Sequence, residues 1–583
     1  MGSIYAVDYE TYYDDQVSVT TLGPWNYVCN EHYSAYMVSI VGDDGLEYVG
    51  PPEDAPWDNI IDGTWLSHNA LFDQTVHDQL GLSRPAGPWY CTADLTAYCG
   101  VKRGLDTAAK HLLGIEVSKA VRTKMKGKTW VDAINSGMAQ DLKEYAIDDS
   151  RHCLALWQGY QEFWPDHERA LSQHTRDIAN RGICINKARL ARYRIDLSKA
   201  REKILDDIPW VGEGRDEDTP LSTNKLRAYL AEKGIPCPPS VSPIAESYLT
   251  WAKKYPKHTK PVELMTQYRR VNRLLKQLNT LREFVRPNGT VGTPLKYFGA
   301  HTGRWSGGGG FNFQNIPGSE LAGVELRRLF VPSKGRRLLS VDLSQIEARV
   351  LAWVAGDFPF LDLVATGQSP YEAHARASLG WTGGPLKKED PQLYKLAKAR
   401  VLGLGYGCGH LKFVELAKMM LGRAITPEEA QLIVNDYRRS NPLIVAFWYN
   451  LDGDLKRHIH RHPGEPYELE LPSGRVLEYH DLTRDDKGVR GVTVLGMPAV
   501  YLYGGKLAEN VVQAIARDVM GANLLRLEEA GHQILLHIHD EAIIEVDADF
   551  DTSEVEEIMA HTPSWLEGCP LDAEAVKHTY LAK

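Results

Sequence analysis

The sequence predicts a multidomain chain of α/β and α+β character, and three observations support this. The chain has 583 residues, which at roughly 100–200 residues per domain corresponds to several domains. Residues 1–165 alternate between strand and helix patterns, residues 170–290 are mainly helical and more basic, and residues 291–583 mix both. Hydrophobic residues make up 43% and charged residues 24%, which is ordinary for a globular protein. The chain can therefore build several buried cores.

Composition argues against several classes of protein. No apolar run approaches the ~18–20 residues that a membrane span needs, and the N-terminus MGSIYAVDYE lacks the pattern of a secretory signal. The eight cysteines form no CxxC pair, which disfavours a zinc site or a disulfide framework and suits a reducing cytosol. We therefore expect no membrane partner and a cytoplasmic location. The net charge of −10 disfavours nucleic-acid binding, but a locally basic channel can coexist with acidic sites.

The first strand pattern, IYAVDYET, ends in acids. Asp8 and Glu10 are two apart, so on a strand both carboxylates point to the same face. Asp73 follows in SHNALFD and Asp149 in YAIDD, with Tyr145 one helical turn before Asp149. Each acid alone is more often a solvated residue or a helix cap. Together, four acids and a tyrosine are what a two-metal nuclease needs.

The ordered set DxE, HNxxFD and YxxxD resembles the DnaQ-like (DEDD) exonucleases in their tyrosine form, over about residues 3–160. The segment GLDTAAKHLLG at 104–114 is similar to the middle helix of that family. The resemblance implies an RNase H-like domain over residues 1–165 with 3′→5′ exonuclease activity. It further implies two Mg²⁺ ions, with Mn²⁺ as a substitute. The implied ligands are Asp8, Glu10, Asp73 and Asp149, and Tyr145 would orient the attacking water.

The segment QYRRVNRLLKQLNTLREF at 267–284 predicts an amphipathic helix. Leu274, Leu275, Leu278 and Leu281 form an apolar stripe, which leaves the basic residues on the outer face. A solvated helix face is the plain interpretation. The functional interpretation is a helix that follows DNA phosphates through basic residues that include Arg270 and Arg273.

A second acidic set lies near the C-terminus. Asp342 ends the strand pattern RRLLSVD, and Asp540 and Glu541 lie in the predicted turn of LLHIHDEAII. The two segments are far apart in sequence, so only folding brings them together. Carboxylates at the ends of neighbouring strands could hold two Mg²⁺ ions for phosphoryl transfer. Taken alone, an acid pair in a hairpin turn is usually just solvated.

Five segments in order resemble the family A DNA polymerases, the bacterial polymerase I type, over about residues 175–583. SVDLSQIEAR, KARVLGLGYG and HIHDE are similar to motifs A, B and C. HTGRWSGGGGFNFQNIP and YGGKLAENVVQAIARD are similar to two flanking segments of the family. The resemblance implies a right-hand polymerase over residues 166–583. Its thumb falls at about 196–290, its palm at about 291–355 and 495–583, and its fingers at about 356–494.

The resemblance also implies roles for individual residues. Asp342 and Asp540 would ligate the catalytic metals with support from Glu541, and Glu347 would block the space of a ribose 2′-hydroxyl. Deoxynucleotides and primer-template DNA are the implied partners, and we expect a monomer. Further residues would contact the nucleotide, the primer end or the template: Gln345, Lys398, Leu402 and Tyr406 for the nucleotide, and Arg304, Asn315, Arg327, Arg349, Gln513 and His539 for DNA.

Motif B predicts one helix face. Lys398, Leu402 and Tyr406 are spaced by four, so they form a drifting stripe along a helix. Lys398 can meet a triphosphate as a point charge, and Tyr406 can stack near the templating base. The plain interpretation is two core residues and a solvated lysine.

Two positions depart from the family pattern. Tyr394 stands where the family usually has a phosphate-contacting arginine, for which Lys395 or Arg400 could substitute. Leu402 stands where Phe or Tyr is usual, which puts sugar discrimination in question. Similar motif B variants, the hairpin ELPSGRVLEY and a start directly at the exonuclease motif indicate a bacteriophage enzyme without the 5′-nuclease domain.

Three alternatives stay open at this point. A single-subunit RNA polymerase shares the palm, but the proofreading motifs and Glu347 argue against it. An enzyme that is mainly an exonuclease, with a weak polymerase, is disfavoured by the intact Asp342, Asp540 and Glu541. A non-enzymatic replisome scaffold would be expected to lack metal-ligand acids.

Overall fold

The computed structural model describes residues 2–211, 219–242, 245–318 and 320–582. Its N-terminal part is a five-stranded mixed sheet in the order β3-β2-β1-β4-β5, in which the central β1 runs antiparallel to β2 and parallel to β4. The predicted strand IYAVDYET is β1, and the predicted helix around Tyr145 and Asp149 is α8, which packs on β1 and β2. The elements are β1 (Ile4–Thr11), α1 (Val19–Val28), β2 (Ala35–Gly42), β3 (Glu47–Gly50), α2 (Trp57–Ile60), β4 (Thr64–Ser67), α3 (Ala70–Gln79), β5 (Trp89–Cys91), α4 (Thr92–Tyr98), α5 (Leu105–Ala108), α6 (Ala120–Lys124), α7 (Trp130–Asn135) and α8 (Ala139–Tyr160).

A long helical region follows Pro165, which precedes the helix α9. Helices α10 and α13 pack along each other, and the four leucines of the predicted stripe are buried between them and the adjoining core. The helix predicted over 267–284 begins earlier, at Lys260. The elements are α9 (Asp166–Arg181), β6 (Ile183–Ile185), α10 (Lys187–Asp207), α11 (Thr223–Ala231), α12 (Glu246–Lys254), α13 (Lys260–Glu283), β7 (Thr290–Val291), β8 (Leu295–Lys296), β9 (Ser306–Gly307) and β10 (Phe330–Val331).

The C-terminal part is centred on a four-stranded sheet in the order β16-β17-β11-β18. The sheet brings the two predicted acidic segments into register, because Asp342 on β11 lies directly opposite Glu541 on β17. Almost the whole length of α22 is buried, and it packs on α14 and α21. The elements are β11 (Arg337–Leu343), α14 (Ile346–Ala355), α22 (Gly504–Glu529), β16 (Ile534–Ile538), β17 (Glu541–Val546), α23 (Ser553–Met559) and β18 (Ala573–His578), where the labels between α14 and α22 belong to the next region.

Between α14 and α22 lies a helical layer followed by a small antiparallel sheet, β12-β13-β14-β15. The predicted hairpin around Pro-Ser-Gly is β12 and β13. The fingers–palm boundary expected at 494/495 falls inside this sheet, between β14 and β15. The elements are α15 (Phe358–Ala365), α16 (Pro370–Leu379), α17 (Leu386–Glu389), α18 (Pro391–Leu404), α19 (His410–Leu421), α20 (Pro427–Ser440), α21 (Pro442–Arg461), β12 (Tyr467–Glu470), β13 (Val476–Asp485), β14 (Gly488–Val492) and β15 (Val500–Leu502). Within the described residues, no helix is both long and apolar enough to cross a membrane.

Candidate active sites

The structure brings the predicted N-terminal acids together at the end of β1. Carboxylate oxygens of Asp8, Glu10 and Asp149 lie within 4.8 Å of one another. Asp73 on α3 is 1% exposed, accepts a hydrogen bond from the Tyr9 amide at 3.4 Å, and keeps its second oxygen buried without a hydrogen-bond partner among the described residues. An unpaired buried carboxylate oxygen beside three other acids is costly unless a cation satisfies it. The donor set therefore fits divalent metal ions.

Crowding perturbs every acid of this site in the same direction. Burial raises the pKa of Asp8 well above its usual value, and Asp73, Glu10 and Asp149 raise it further. Burial likewise raises the pKa of Glu10, to about 7, although Arg122 opposes the shift. Burial raises the pKa of Asp149, while the Tyr145 hydroxyl, one turn earlier on α8, lowers it. The fold thus holds negative charges together at a cost that bound cations would remove.

Arg122 is a member of this site that sequence reasoning missed. Its helix α6 is tied to the chain after β1, because the Tyr13 hydroxyl donates to the Arg122 carbonyl at 2.7 Å. Desolvation lowers the pKa of the Arg122 guanidinium, but the neighbouring Tyr145, Glu10 and Asp8 raise it overall. An exposed arginine that acts on all four acids is placed to meet a phosphate. No spacing in the sequence pointed to it.

The C-terminal acids lie where two antiparallel strands meet. Asp342 and Glu541 are cross-strand partners, and the Leu343 amide donates to the Asp540 carbonyl at 2.9 Å. Asp540 is in the turn between β16 and β17, as predicted, but Glu541 is the first residue of β17 and is 4% exposed. The prediction that Glu541 lies in the turn was therefore wrong: pairing with β11 draws it into the sheet. Two carboxylates at one sheet end suit Mg²⁺, which is usually held by one or two carboxylates plus substrate phosphates.

A cluster around Glu347 lies at the start of α14. Arg304 pairs with one carboxylate oxygen of Glu347, and the Tyr406 hydroxyl donates to the other at 3.3 Å. Gln345, just before the helix, has a left-handed backbone with φ of 49°. The structure thus joins three residues that the sequence had placed in three separate motifs, and it holds the Glu347 carboxylate on both sides.

Motif B differs from the expected single helix. Helix α18 ends at Leu404, and Tyr406 follows in a turn where Gly407 has φ of 76°, so Tyr406 does not continue the stripe of Lys398 and Leu402. The glycines after Leu404 favour the end of the helix, and Gly407 supplies a left-handed conformation that other residues rarely adopt. Leu402 and Lys398 are exposed on α18. The prediction of one continuous stripe was wrong for Tyr406.

The two possible substitutes for the usual motif B arginine differ in burial. Arg400 is 2% exposed, donates to Asp436 at 2.7 Å and bonds His374, so it serves the interior of the helical layer. Lys395 is exposed. Tyr394 packs edge-on against Tyr371 with 5.6 Å between ring centroids. Of the two candidates, only Lys395 is exposed, and its contact with a phosphate stays a prediction.

Tyr371 on α16 is a second residue that sequence reasoning did not single out. It is 5% exposed, and the Lys398 ammonium lies 5.8 Å from its ring centroid. Burial raises the pKa of its hydroxyl, and Tyr394, Asp540 and Asp342 raise it further. Tyr371 is therefore close enough to Asp342 and Asp540 to be affected by their charge.

The remaining predicted DNA contacts divide by exposure. Asn315 and His539 are exposed, and Gln513 is partly buried with its amide on Glu509 at 3.2 Å. By contrast, the Arg327 side chain is 7% exposed and lies 3.7 Å from Glu541. Arg349 donates to the carbonyls of Ser344 and Pro570 at 2.7 Å each. For these two arginines, DNA contact stays a prediction, because both guanidinium groups already have partners inside the protein.

The basic face of α13 is exposed as expected. Arg270 and Arg273 are exposed on α13, as are Arg269 and Lys276, whereas the four leucines are buried. No acidic partner for Arg270 or Arg273 occurs within the described residues. This face is therefore available to a polyanion.

Carboxylates at adjoining strand ends, as at Asp342 and Asp540, suit an enzyme of metal-assisted phosphoryl transfer. The chain belongs to DNA polymerase family A, whose family model matches residues 219–575. It is 28% identical to the DNA polymerase of Bacillus phage SP02 over 594 residues, which covers 89% of each chain. The expected similarity to bacteriophage enzymes is thereby confirmed.

Two further comparisons agree. The thermostable DNA polymerase I of Thermus aquaticus is 30% identical over 292 residues, which are 49% of this chain and 32% of that protein. The solved POL domain of Pol1 from M. smegmatis, in complex with DNA primer-template and dNTP, matches with a TM-score of 0.67 at 18% identity. That match covers 100% of this chain and 96% of the other, so the fold extends through the N-terminal domain as well. Polymerases of this family use divalent metal ions.

Proposed function

We propose that this DNA polymerase also proofreads, with a 3′→5′ exonuclease site in residues 1–165, and that it replicates a phage genome as a monomer. The observation that carries the proposal is the cluster at β1, where carboxylate oxygens of three acids lie within 4.8 Å beside the buried Asp73. Both candidate sites are built from one chain, which supports action as a monomer. The relation to a phage polymerase supports the replicative role.

In the exonuclease site, Asp8, Glu10, Asp73 and Asp149 would hold two Mg²⁺ ions, for which Mn²⁺ could substitute. Such ions supply positive charge that stabilises the attacking and leaving oxygens of an in-line displacement. Tyr145 lies beside Asp149, and its hydroxyl would orient the attacking water through a hydrogen bond. Arg122 would neutralise the scissile phosphate. Together these residues would hydrolyse the terminal phosphodiester of a melted primer.

In the polymerase site, Asp342 and Asp540 would hold the second pair of ions, at the joint of β11 and β17. Lys398 and Lys395 would meet the triphosphate from α18, while Gln345 would organise the site. Glu347, held by Arg304 and Tyr406, would fill the space of a ribose 2′-hydroxyl. The primer 3′-hydroxyl would attack the α-phosphate, and pyrophosphate would leave.

A single assay tests both sites. A 5′-labelled primer on a longer template is incubated with Mg²⁺, with and without dNTPs. Elongation with dNTPs and stepwise shortening from the 3′ end without them are expected. An intact primer without dNTPs, under conditions that support elongation, would remove the proofreading proposal.

A further inference from the structure

Arg517 is an arginine buried inside the polymerase half. Its side chain is 1% exposed, on α22, and both terminal nitrogens contact the Glu168 carboxylate, one of them at 2.8 Å. Glu168 lies on α9, the first helix after the N-terminal domain, and also accepts a hydrogen bond from the Tyr297 hydroxyl at 2.6 Å. Burial lowers the pKa of Arg517, but the Glu168 carboxylate raises it overall; burial raises the pKa of Glu168, but Arg517 lowers it overall, so both remain charged. Removal of either partner of such a buried ion pair would leave an uncompensated buried charge.

The third nitrogen of Arg517 holds the main chain. Its Nε donates to the Gly303 carbonyl at 2.9 Å. A second buried arginine, Arg475 from β13's hairpin, donates to the carbonyl of the preceding residue, Thr302, at 3.1 Å. The two arginines share Asp518, at 3.2 Å from Arg517 and 2.9 Å from Arg475. Two consecutive carbonyls are thus fixed by two charged donors from different elements.

The residue after Arg304 is fixed as well. The Arg517 guanidinium lies 4.7 Å from the Trp305 ring centroid, and the Trp305 indole donates to Thr175 on α9 at 2.9 Å. The residues on both sides of Arg304 are therefore held in place: Thr302 and Gly303 through their carbonyls, and Trp305 through its side chain. Arg304 itself is only 28% exposed and pairs with Glu347.

We propose that Arg517 and Arg475 are positioning residues for deoxynucleotide selection, which act through Arg304 on Glu347. They hold the main chain at 302–303, so the Arg304 guanidinium stays against one oxygen of the Glu347 carboxylate while Tyr406 holds the other. If the two carbonyls lost these donors, the segment could shift, and small shifts in supporting residues loosen a site. The inference rests on the proposed role of Glu347 against ribose.

The test compares kcat/KM for a dNTP with that for the matching rNTP. Arg517→Lys keeps the charge but loses the Nε donor and the planar fork. The dNTP/rNTP ratio is expected to fall about 5-fold or more, through a higher KM for the dNTP and better use of the rNTP. Arg475→Lys, which loses the donor to Thr302, is expected to act in the same direction and serves if Arg517→Lys does not fold.

The matched control is Arg176→Lys. Arg176 is also buried, pairs with Asp94 and donates to the Trp89 carbonyl at 2.8 Å, so its loss carries a similar structural cost away from Arg304. Its ratio is expected to equal that of the wild type. A ratio that stays unchanged in the folded Arg517→Lys and Arg475→Lys variants would overturn the inference.

Glu347→Ala separates the two levels of the argument. If Glu347→Ala lowers the ratio but the arginine variants do not, the role of Glu347 stands and the positioning role falls. If Glu347→Ala leaves the ratio unchanged, the proposed role of Glu347 fails and the positioning role falls with it. A fall in all three variants, with Arg176→Lys unchanged, supports the proposal.

Discussion

The two acidic sites of this chain solve the problem of holding negative charge in different ways. At β1, carboxylate oxygens of Asp8, Glu10 and Asp149 crowd within 4.8 Å, and Arg122 is the cation that opposes their raised pKa values. In the palm, Asp342 and Asp540 sit at adjoining strand ends, while Glu541 and Glu347 each have an arginine beside them.

The two proposed activities account for this difference. The proposed exonuclease site would coordinate its metal ions mainly with its own carboxylates. A polymerase site receives much of its metal coordination from the triphosphate, so it needs fewer carboxylates. Its arginines can instead hold neighbouring side chains in position. The first site is therefore expected to be more sensitive to metal removal and pH, and the second to changes in shape.

The largest expected difference between the two sites is in the variant Asp540→Asn. The loss of one carboxylate charge at the palm should lower primer extension by about 10³-fold or more, because several kcal/mol of charge stabilisation depend on it. Shortening of a primer without dNTPs should continue at the wild-type rate. Loss of both activities in a folded protein would mean that the two sites are not separate.

The converse change is Asp8→Ala with Glu10→Ala. Shortening of the primer should fall by about 10³-fold or more, while extension with dNTPs should stay within about 2-fold. The same labelled primer measures both. A protein that still shortens primers at the wild-type rate would show that the β1 acids do not form the nuclease site.

The geometry of the palm predicts the effect of Glu347→Ala. Arg304 and Tyr406 hold the Glu347 carboxylate in place, and removal of this side chain leaves its space empty. Incorporation of ribonucleotides relative to that of deoxynucleotides should therefore rise about 10–100-fold. Single-nucleotide insertion with matched dNTP and rNTP pairs measures this. Leu432→Ala on α20, which is exposed and outside this cluster, is the comparison variant.

The crowding at β1 predicts a dependence of stability on pH. The pKa of Glu10 is raised to about 7 from 4.5, so the folded chain keeps a proton that the unfolded chain releases between these values. Stability without metal should therefore fall as pH rises through this window, and Glu10→Gln should remove that loss. Above pH 7 with EDTA, the free energy of unfolding of the variant should be about 1–2 kcal/mol higher than that of the wild type.

The difference should change under two further conditions. Below about pH 3.5 it should vanish, because Glu10 is then protonated in both the folded and the unfolded state. With Mg²⁺ at pH 8 the wild type should gain stability that the variant lacks. Denaturant titration of the N-terminal domain with and without EDTA measures all three conditions, and a variant no more stable than wild type at pH 8 in EDTA would contradict the crowding argument.

The smallest expected effects are on the outer face of α13. Arg270→Ala and Arg273→Ala should each weaken primer-template binding uniformly and reduce the slope of log K against log salt by about 1. The exposed Lys257, outside this helix, is the control position. Fluorescence anisotropy from 50 to 300 mM salt gives the slope, and unchanged slopes would remove the assignment of this helix as a thumb.

The sequence predicted the parts of both sites that depend on local spacing. The two-residue period of a strand placed Asp8 and Glu10 on one face, and the helical period placed Tyr145 beside Asp149. The palm hairpin and the buried leucine stripe of α13 followed in the same way. Period-based reasoning succeeds there because one element alone fixes the side chains.

The spacing of residues in the sequence could not predict which group each charged side chain contacts. Arg400 has the same residue type as a phosphate-binding arginine, yet the fold buries it against Asp436. Tyr406 lies outside the helix because glycines follow Leu404, and its hydroxyl donates to Glu347.

The sequence by itself determined the multidomain fold class, the two sets of acids and the family. Tertiary structure alone decided which arginines are buried in ion pairs and which basic residues are exposed. The physical reason is that Arg517 and Glu168 are joined across 349 positions. The pairing of a buried charge depends on every element that surrounds it, and no periodicity in one segment records it.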